Sequence, residues 1–171
     1  EEILADIARA DSGPRRGKVR PLDGLVTELR HRRDAGQTVV FTNGCFDVLH
    51  AGHVQYLDEA RAQGDILVVG LNSDSSVRAL KGPTRPVNGE DARALVLAAL
   101  EAVDHVVVFS QSTPLELIKA IRPDVLVKGA DYSREAVVGG DFVESYGGRV
   151  HLADLRPGVS STRIIQRLEA A

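Results

Sequence analysis

The residues Asn43-Gly44-Cys45-Phe46-Asp47-Val48-Leu49-His50-Ala51-Gly52-His53 combine types and spacing suited to handling a phosphate. They follow a β-branched run, TVVFT at 38–42, and lead directly into a helical pattern. Glycines let the backbone approach an anion closely, and a helix N-terminus offers unpaired N–H donors at the positive end of its dipole. His50 and His53, separated by a small residue and a glycine, both reach one anion there. A single histidine at a helix start would be an ordinary surface residue. A pair behind a glycine-containing strand end points to phosphate chemistry.

Other segments offer charge or hydroxyls. Lys81 lies in Lys81-Gly82-Pro83-Thr84-Arg85-Pro86, read as a loop with two cations. Such a charge run is usually a solvated face, yet a lysine beside a glycine can swing onto a triphosphate, and the loop is expected to stay mobile until ligand binds. Ser160, Ser161 and Thr162 precede an amphipathic helix, where hydroxyls cap the first turn and also make a second anion site. Asp47 orients the acceptor or a histidine, or serves structure alone. Arg93 reads most simply as a helix-surface ion pair. Cys45 reads as a small packing residue; without a second cysteine it forms neither an internal disulfide nor a metal-ligand spacing.

The elements that must position these residues are legible as alternating patterns. Short β-branched runs at 38–42, 66–71, 105–109, 124–128 and 149–153 read as strands. Helical spacing covers 22–35, 52–63, 90–103, 114–121 and 161–170. The pattern predicts an α/β fold, a Rossmann-like doubly wound five-stranded parallel sheet with helices on both faces. In such sheets ligands bind beyond the carboxyl ends of the strands, and the first and last strands are the expected place. Residues 1–20, rich in Gly, Pro and basic residues from Asp11 onward, are expected to be a lead-in to a single domain over 21–171.

A net charge of −3 argues against a nucleic-acid partner. No apolar run approaches the ~20 residues that cross a bilayer, and Glu1 to Ala10 does not read as a secretory signal. A cytoplasmic protein that does not engage the membrane is the expectation.

The string GCFDVLHAGH resembles the signature of the cytidylyltransferase-like nucleotidyltransferases, whose HxGH motif class I aminoacyl-tRNA synthetases share. NSD (72–74), LKGPTRPVN (80–88), ARALVLAALEAVD (92–104), VKGADY (127–132) and GVSSTRII (158–165) are similar to the heptose 1-phosphate adenylyltransferase branch. The resemblance implies transfer of AMP from ATP to D-glycero-D-manno-heptose 1-phosphate, releasing pyrophosphate and forming ADP-heptose for lipopolysaccharide or a related surface glycan. It implies that His50 and His53 contact the triphosphate and stabilise charge as pyrophosphate leaves, aided by Lys81. By the same resemblance Asn43, Gly44, Cys45, Phe46, Gly52, Gly129, Asp131, Ser160, Ser161 and Thr162 hold the nucleotide, and Asp47 and Lys128 meet the sugar phosphate. Asp131 equally suits a helix cap. No metal ligand is expected from the protein, and Mg2+ is expected to arrive on the ATP phosphates. A homodimer is implied, and Arg93 matches a family arginine. Arg156 stands two residues before Gly158, where some relatives carry an arginine three before. Within these 171 residues neither an anticodon-binding domain nor the sugar-kinase half fused to this domain in some relatives is expected. A cytidylyltransferase acting on a polyol or amino-alcohol phosphate is the nearest alternative. A non-catalytic nucleotide-binding regulatory module is the alternative of another class, against which His50, Gly52, His53 and Lys81 argue.

Overall fold

The computed structural model describes residues 17–154 and 161–169. Five strands form one sheet: β1 (Val39–Gly44), β2 (Ile66–Asn72), β3 (His105–Phe109), β4 (Val125–Gly129) and β5 (Arg149–Ala153). Their order is β3-β2-β1-β4-β5 and every pairing is parallel. Parallel strands must be joined by crossovers, and those crossovers are helices that cover both faces. That is why β2, the sequence ILVVGLN, is buried along its whole length.

Alternate residues of each strand feed two separate cores. On one face Val40, Leu67, Val69 and Val127 pack with Tyr56, Leu57 and Ala60 of helix α2 (Ala51–Arg61) and with Ala94, Leu97 and Ala98 of α4 (Glu90–Ala98). On the other, Val39, Phe41, Val68 and Leu126 pack with Leu25 and Leu29 of α1 (Leu22–Asp34). Leu117, Ile118 and Ile121 of α5 (Leu115–Ile121) and Val143 of α6 (Gly140–Ser145) complete that layer. The fold class predicted from the pattern is the one observed.

The position of the crevice differs from expectation. From β1 the chain builds outward through β2 to β3, then returns to lay β4 against the other side of β1. Strand order therefore reverses between β1 and β4, and a sheet of this kind places its ligand crevice beyond the carboxyl ends of those two strands. The last strand, β5, is the edge beyond β4.

Two local readings are also corrected. Lys81, read as the start of a loop, instead ends helix α3 (Asp74–Lys81), a helix not expected from the sequence, which Ser73 caps by accepting a hydrogen bond from the Ser76 amide. Helix α4 stops at Ala98, short of the predicted 103. The end of the expected lead-in is fixed along β3, with the Val106 amide donating to Lys18 O at 2.7 Å and the Arg20 amide to Val106 O at 3.0 Å. Helix α6 and a 3-10 turn at Arg134–Ala136 were not foreseen, and α7 (Ser161–Glu169) ends the described chain. Among the described residues, no helix is long and apolar enough to cross a membrane.

Candidate active site

Strand β1 delivers Asn43 and Gly44 to the crevice, and the chain then turns sharply. Phe46 takes a positive φ of 44°, a conformation uncommon for a side chain larger than glycine. Its ring folds back over Gly44, where a Cβ would lie only 3.0 Å from Phe46 Cε2. The turn reaches His50, which is extended (φ −143°, ψ 171°) and forms the N-cap of α2. Its carbonyl accepts from the amides of His53 at 2.9 Å and Val54 at 3.3 Å.

This geometry brings the two imidazoles together. Their rings stack with centroids 3.9 Å apart and planes 24° from parallel, and Phe46 meets His53 edge-on at 5.4 Å. Gly52 makes the stack feasible, since a Cβ there would come within 3.0 Å of the His50 ring. Burial, then the neighbouring His50 and the Lys81 charge, push the His53 pKa down to about 4, and burial lowers that of His50 as well. Both rings are therefore neutral near pH 7. Nδ1 of each is buried and has no hydrogen-bond partner among the described residues. A pair of neutral N–H carriers at a helix N-terminus suits an anion whose charge increases during reaction.

Lys81 is not a loop residue: it is the last residue of α3 and is exposed. Its charge acts on His53, which places the end of α3 on the histidine side of the crevice. Gly82 ends the helix with a φ of 98°, and the chain returns toward the β1–α2 turn.

There it meets Asp47, whose side chain is fully buried. The carboxylate accepts from Arg85 Nε at 2.6 Å, from the Val87 amide at 2.8 Å and from the Asn88 amide at 3.0 Å. Asn88 Nδ2 in turn donates to Asp47 O at 2.7 Å. Burial alone would raise the Asp47 pKa, but the Asn88 and Val87 amides and the Arg85 guanidinium outweigh it and hold it below the usual carboxylate range. The reading of this segment as a solvated charge run fails for Arg85.

The larger surprise is Arg93, expected at the surface and found 2% exposed. Its Nε donates to Asn88 O at 2.8 Å, Nη1 to Cys45 O at 2.7 Å and Asn72 O at 2.8 Å, and Nη2 to Asp74 Oδ1 at 2.7 Å. One guanidinium thus ties together the β1–α2 turn, the end of β2, the start of α3 and the 85–88 segment. The sequence carried a signal for this, because Arg93 precedes Leu97 by one helical repeat and so shares its buried face. A shallow cleft beside the turn is lined by Phe46, Asp47, Leu49, Asn88, Ala92, Arg93 and Val96, and so lies behind the histidine pair rather than at it.

Across the crevice, Lys128 Nζ on β4 donates to Asn43 Oδ1 on β1 and lies 5.7 Å from the Tyr132 ring centre. Burial lowers its pKa to about 8, against the opposing pull of Asp131 and Cys45. Gly129 is buried; Asp131 and Tyr132 are exposed. Asp131 does not cap the following 3-10 turn, whose N-cap is Ser133. Beneath the crevice Thr42, Tyr56 and Val127 O form a buried chain, with 2.6 Å between the two hydroxyls and 3.2 Å from Tyr56 to the carbonyl. Ser161 opens α7 and Thr162 is exposed in its first turn, whereas Arg156, Gly158 and Ser160 lie outside the described residues. Among the described residues no group of three or more His, Cys, Asp or Glu is placed to hold a metal ion.

Comparison with known proteins agrees with this geometry. The family model described as Cytidylyltransferase-like matches residues 41–167. A bifunctional protein HldE from Syntrophotalea carbinolica is 60% identical over 151 residues, covering 88% of this chain and 31% of that protein. One from Caulobacter sp. (strain K31) is 57% identical over 170 residues, 99% of this chain and 35% of the relative. The chain thus spans about a third of the length of the curated relatives it matches. Among solved structures, the lipopolysaccharide core biosynthesis protein from Thermoplasma volcanium GSS1 superposes with a TM-score of 0.60 at 27% identity, covering 72% of this chain and 100% of that one. With the family model spanning most of the sequence and the HxGH histidines stacked at the switch point of the sheet, the chain belongs to the cytidylyltransferase-like family of nucleotidyltransferases.

Proposed function

We propose that this chain transfers AMP from ATP to a heptose 1-phosphate, releasing pyrophosphate and giving ADP-heptose for lipopolysaccharide or a related surface glycan. The observation that carries this reading is the stacked, neutral His50–His53 pair at the N-terminus of α2, beside the β1–β4 crevice. The similarity to proteins named HldE supports the heptose branch over a cytidylyltransferase of a polyol phosphate.

An oxygen of the sugar phosphate attacks the α-phosphorus of ATP and forms a new P–O bond. The bond from that phosphorus to the oxygen bridging to the β-phosphate breaks, and pyrophosphate leaves with the electron pair. The nucleophile is already ionised, so no general base is needed, and the protein supplies position and charge compensation. His50 and His53 donate to the departing phosphates while Lys81 adds its charge from the end of α3. Asn43, Gly44, Cys45, Phe46, Gly52, Gly129, Asp131, Ser160, Ser161 and Thr162 hold the nucleotide, and Lys128 receives the sugar phosphate. Asp47, assigned to the acceptor by resemblance, acts on it through the 85–88 segment that its carboxylate holds. Mg2+ enters with ATP as part of the substrate and neutralises phosphate charge there. The reading includes residues 21–171 as one domain, a cytoplasmic location and a homodimer, the last on family likeness alone.

A pyrophosphate-release screen of ATP and CTP against heptose 1-phosphate, other sugar phosphates and polyol phosphates tests it. Turnover is expected with ATP and the heptose 1-phosphate. Turnover with CTP and a polyol or amino-alcohol phosphate instead would replace the reading, and none with any pair would leave a binding module.

A further inference from the structure

The guanidinium of Arg85 is held as though one of its acceptors were supplied from outside the chain. Its side chain is 11% exposed and its Nε is committed to Asp47 at 2.6 Å, yet Nη2 is buried with no acceptor among the described residues. A buried donor without a partner is costly, more so on a charged group. Asp47 does not relieve it, because the same carboxylate already accepts from the Val87 and Asn88 amides.

Position indicates what the missing acceptor is. Arg85 comes four residues after Lys81, whose charge acts on His53, and is anchored by Asp47, three residues before His50. Both ends of its tether therefore belong to the phosphate-handling turn. A guanidinium with one edge fixed by a carboxylate and one N–H free is oriented for a phosphate oxygen, which its planar fork matches.

Building on the proposed function, we infer that Arg85 is a further phosphate-binding residue of this site, aimed by Asp47, with Nη2 donating to a phosphate oxygen of the nucleotide or of the sugar phosphate. The Asp47–Arg85 pair then serves ligand orientation as well as holding the segment down.

Arg85→Lys separates the two roles, since it keeps a cation against Asp47 and removes the second arm of the fork. Thermal unfolding, calorimetric binding of MgATP and of inorganic pyrophosphate, and the KM for sugar phosphate are measured on the wild type and the variant. The expected result is a melting temperature close to the wild type, with either a roughly tenfold or greater loss of MgATP and pyrophosphate affinity or a comparable rise in the KM for sugar phosphate. The first outcome assigns Nη2 to the nucleotide and the second to the acceptor. Unchanged affinities and an unchanged KM overturn the inference, leaving Arg85 as a structural tie.

The pyrophosphate arm keeps the two readings distinguishable. A wild type that binds pyrophosphate but turns over no substrate pair defeats the proposed function while still testing Arg85. A wild type that binds no anion defeats both. If Arg85→Lys melts early, the Arg85 guanidinium 15N resonances of the wild type, titrated with pyrophosphate, decide: a shift supports contact and no shift overturns it.

Discussion

The two sides of the crevice are built differently. On the β1 side, Arg93 makes four hydrogen bonds and Asp47 receives a guanidinium and two backbone amides, so the histidine turn is braced from behind. On the β4 side, Lys128 has one side-chain hydrogen bond among the described residues, to Asn43, and Asp131 and Tyr132 are exposed. Electrostatic stabilisation works when donors are fixed before charge develops, so that no reorganisation is needed during the reaction. Recognition of a base or a sugar instead tolerates adaptable side chains on loops. The contrast suggests that the braced side handles the leaving pyrophosphate and the open side admits the partner to be joined.

The largest effect should come from removing the brace. Arg93→Ala strands three backbone carbonyls and the Asp74 carboxylate, and should destabilise the protein by about 3–5 kcal/mol, the range for breaking a buried ionic network. Arg93→Lys should recover only a small part, because an ammonium cannot reproduce the planar set of donors. Urea unfolding checks both; a loss below about 1 kcal/mol for Arg93→Ala would show that the turn does not depend on this clamp.

The brace was also the least legible part of the molecule. All five strands could be read because buried parallel strands announce themselves as β-branched runs such as ILVVGL and HVVVF. Their order could not, since nothing local states that β4 returns to the side of β1. Helix α3 was missed although Ser73 and Gly82 mark its ends, because its 8 residues span little more than two turns and leave few periods to read. That error left Lys81 in a loop. The HxGH pair was visible from residue types and spacing alone. All but one of the bonds that steady it join residues 19 to 48 positions apart, and only the fold brings these together.

A smaller effect tests the open side. The Lys128 pKa is about 8, so its charge is present below that value and lost as pH rises through it. With sugar phosphate as the varied substrate, kcat/KM reports the free enzyme and should fall above about pH 8. Lys128→Gln should lower it throughout and remove that limb. A wild-type profile flat from pH 7 to 9 would take Lys128 out of acceptor binding.

The smallest effect belongs to Cys45, whose carbonyl, not its thiol, accepts from Arg93. Cys45→Ala should keep kcat within a few-fold of wild type, because direct transfer forms no covalent intermediate. A nucleotidyl-cysteine adduct seen by mass spectrometry would contradict direct transfer.

The central claim is that the stacked histidines act on charge that develops as pyrophosphate departs. Steady-state pyrophosphate release and calorimetric MgATP affinity for His50→Ala and His53→Ala test it most directly. Each should lose roughly a hundred- to thousandfold in kcat, the range for removing one donor aimed at transition-state charge, with a much smaller change in ATP affinity. Wild-type kcat in both variants together with weakened ATP binding would make the histidines ground-state binding groups and contradict the account.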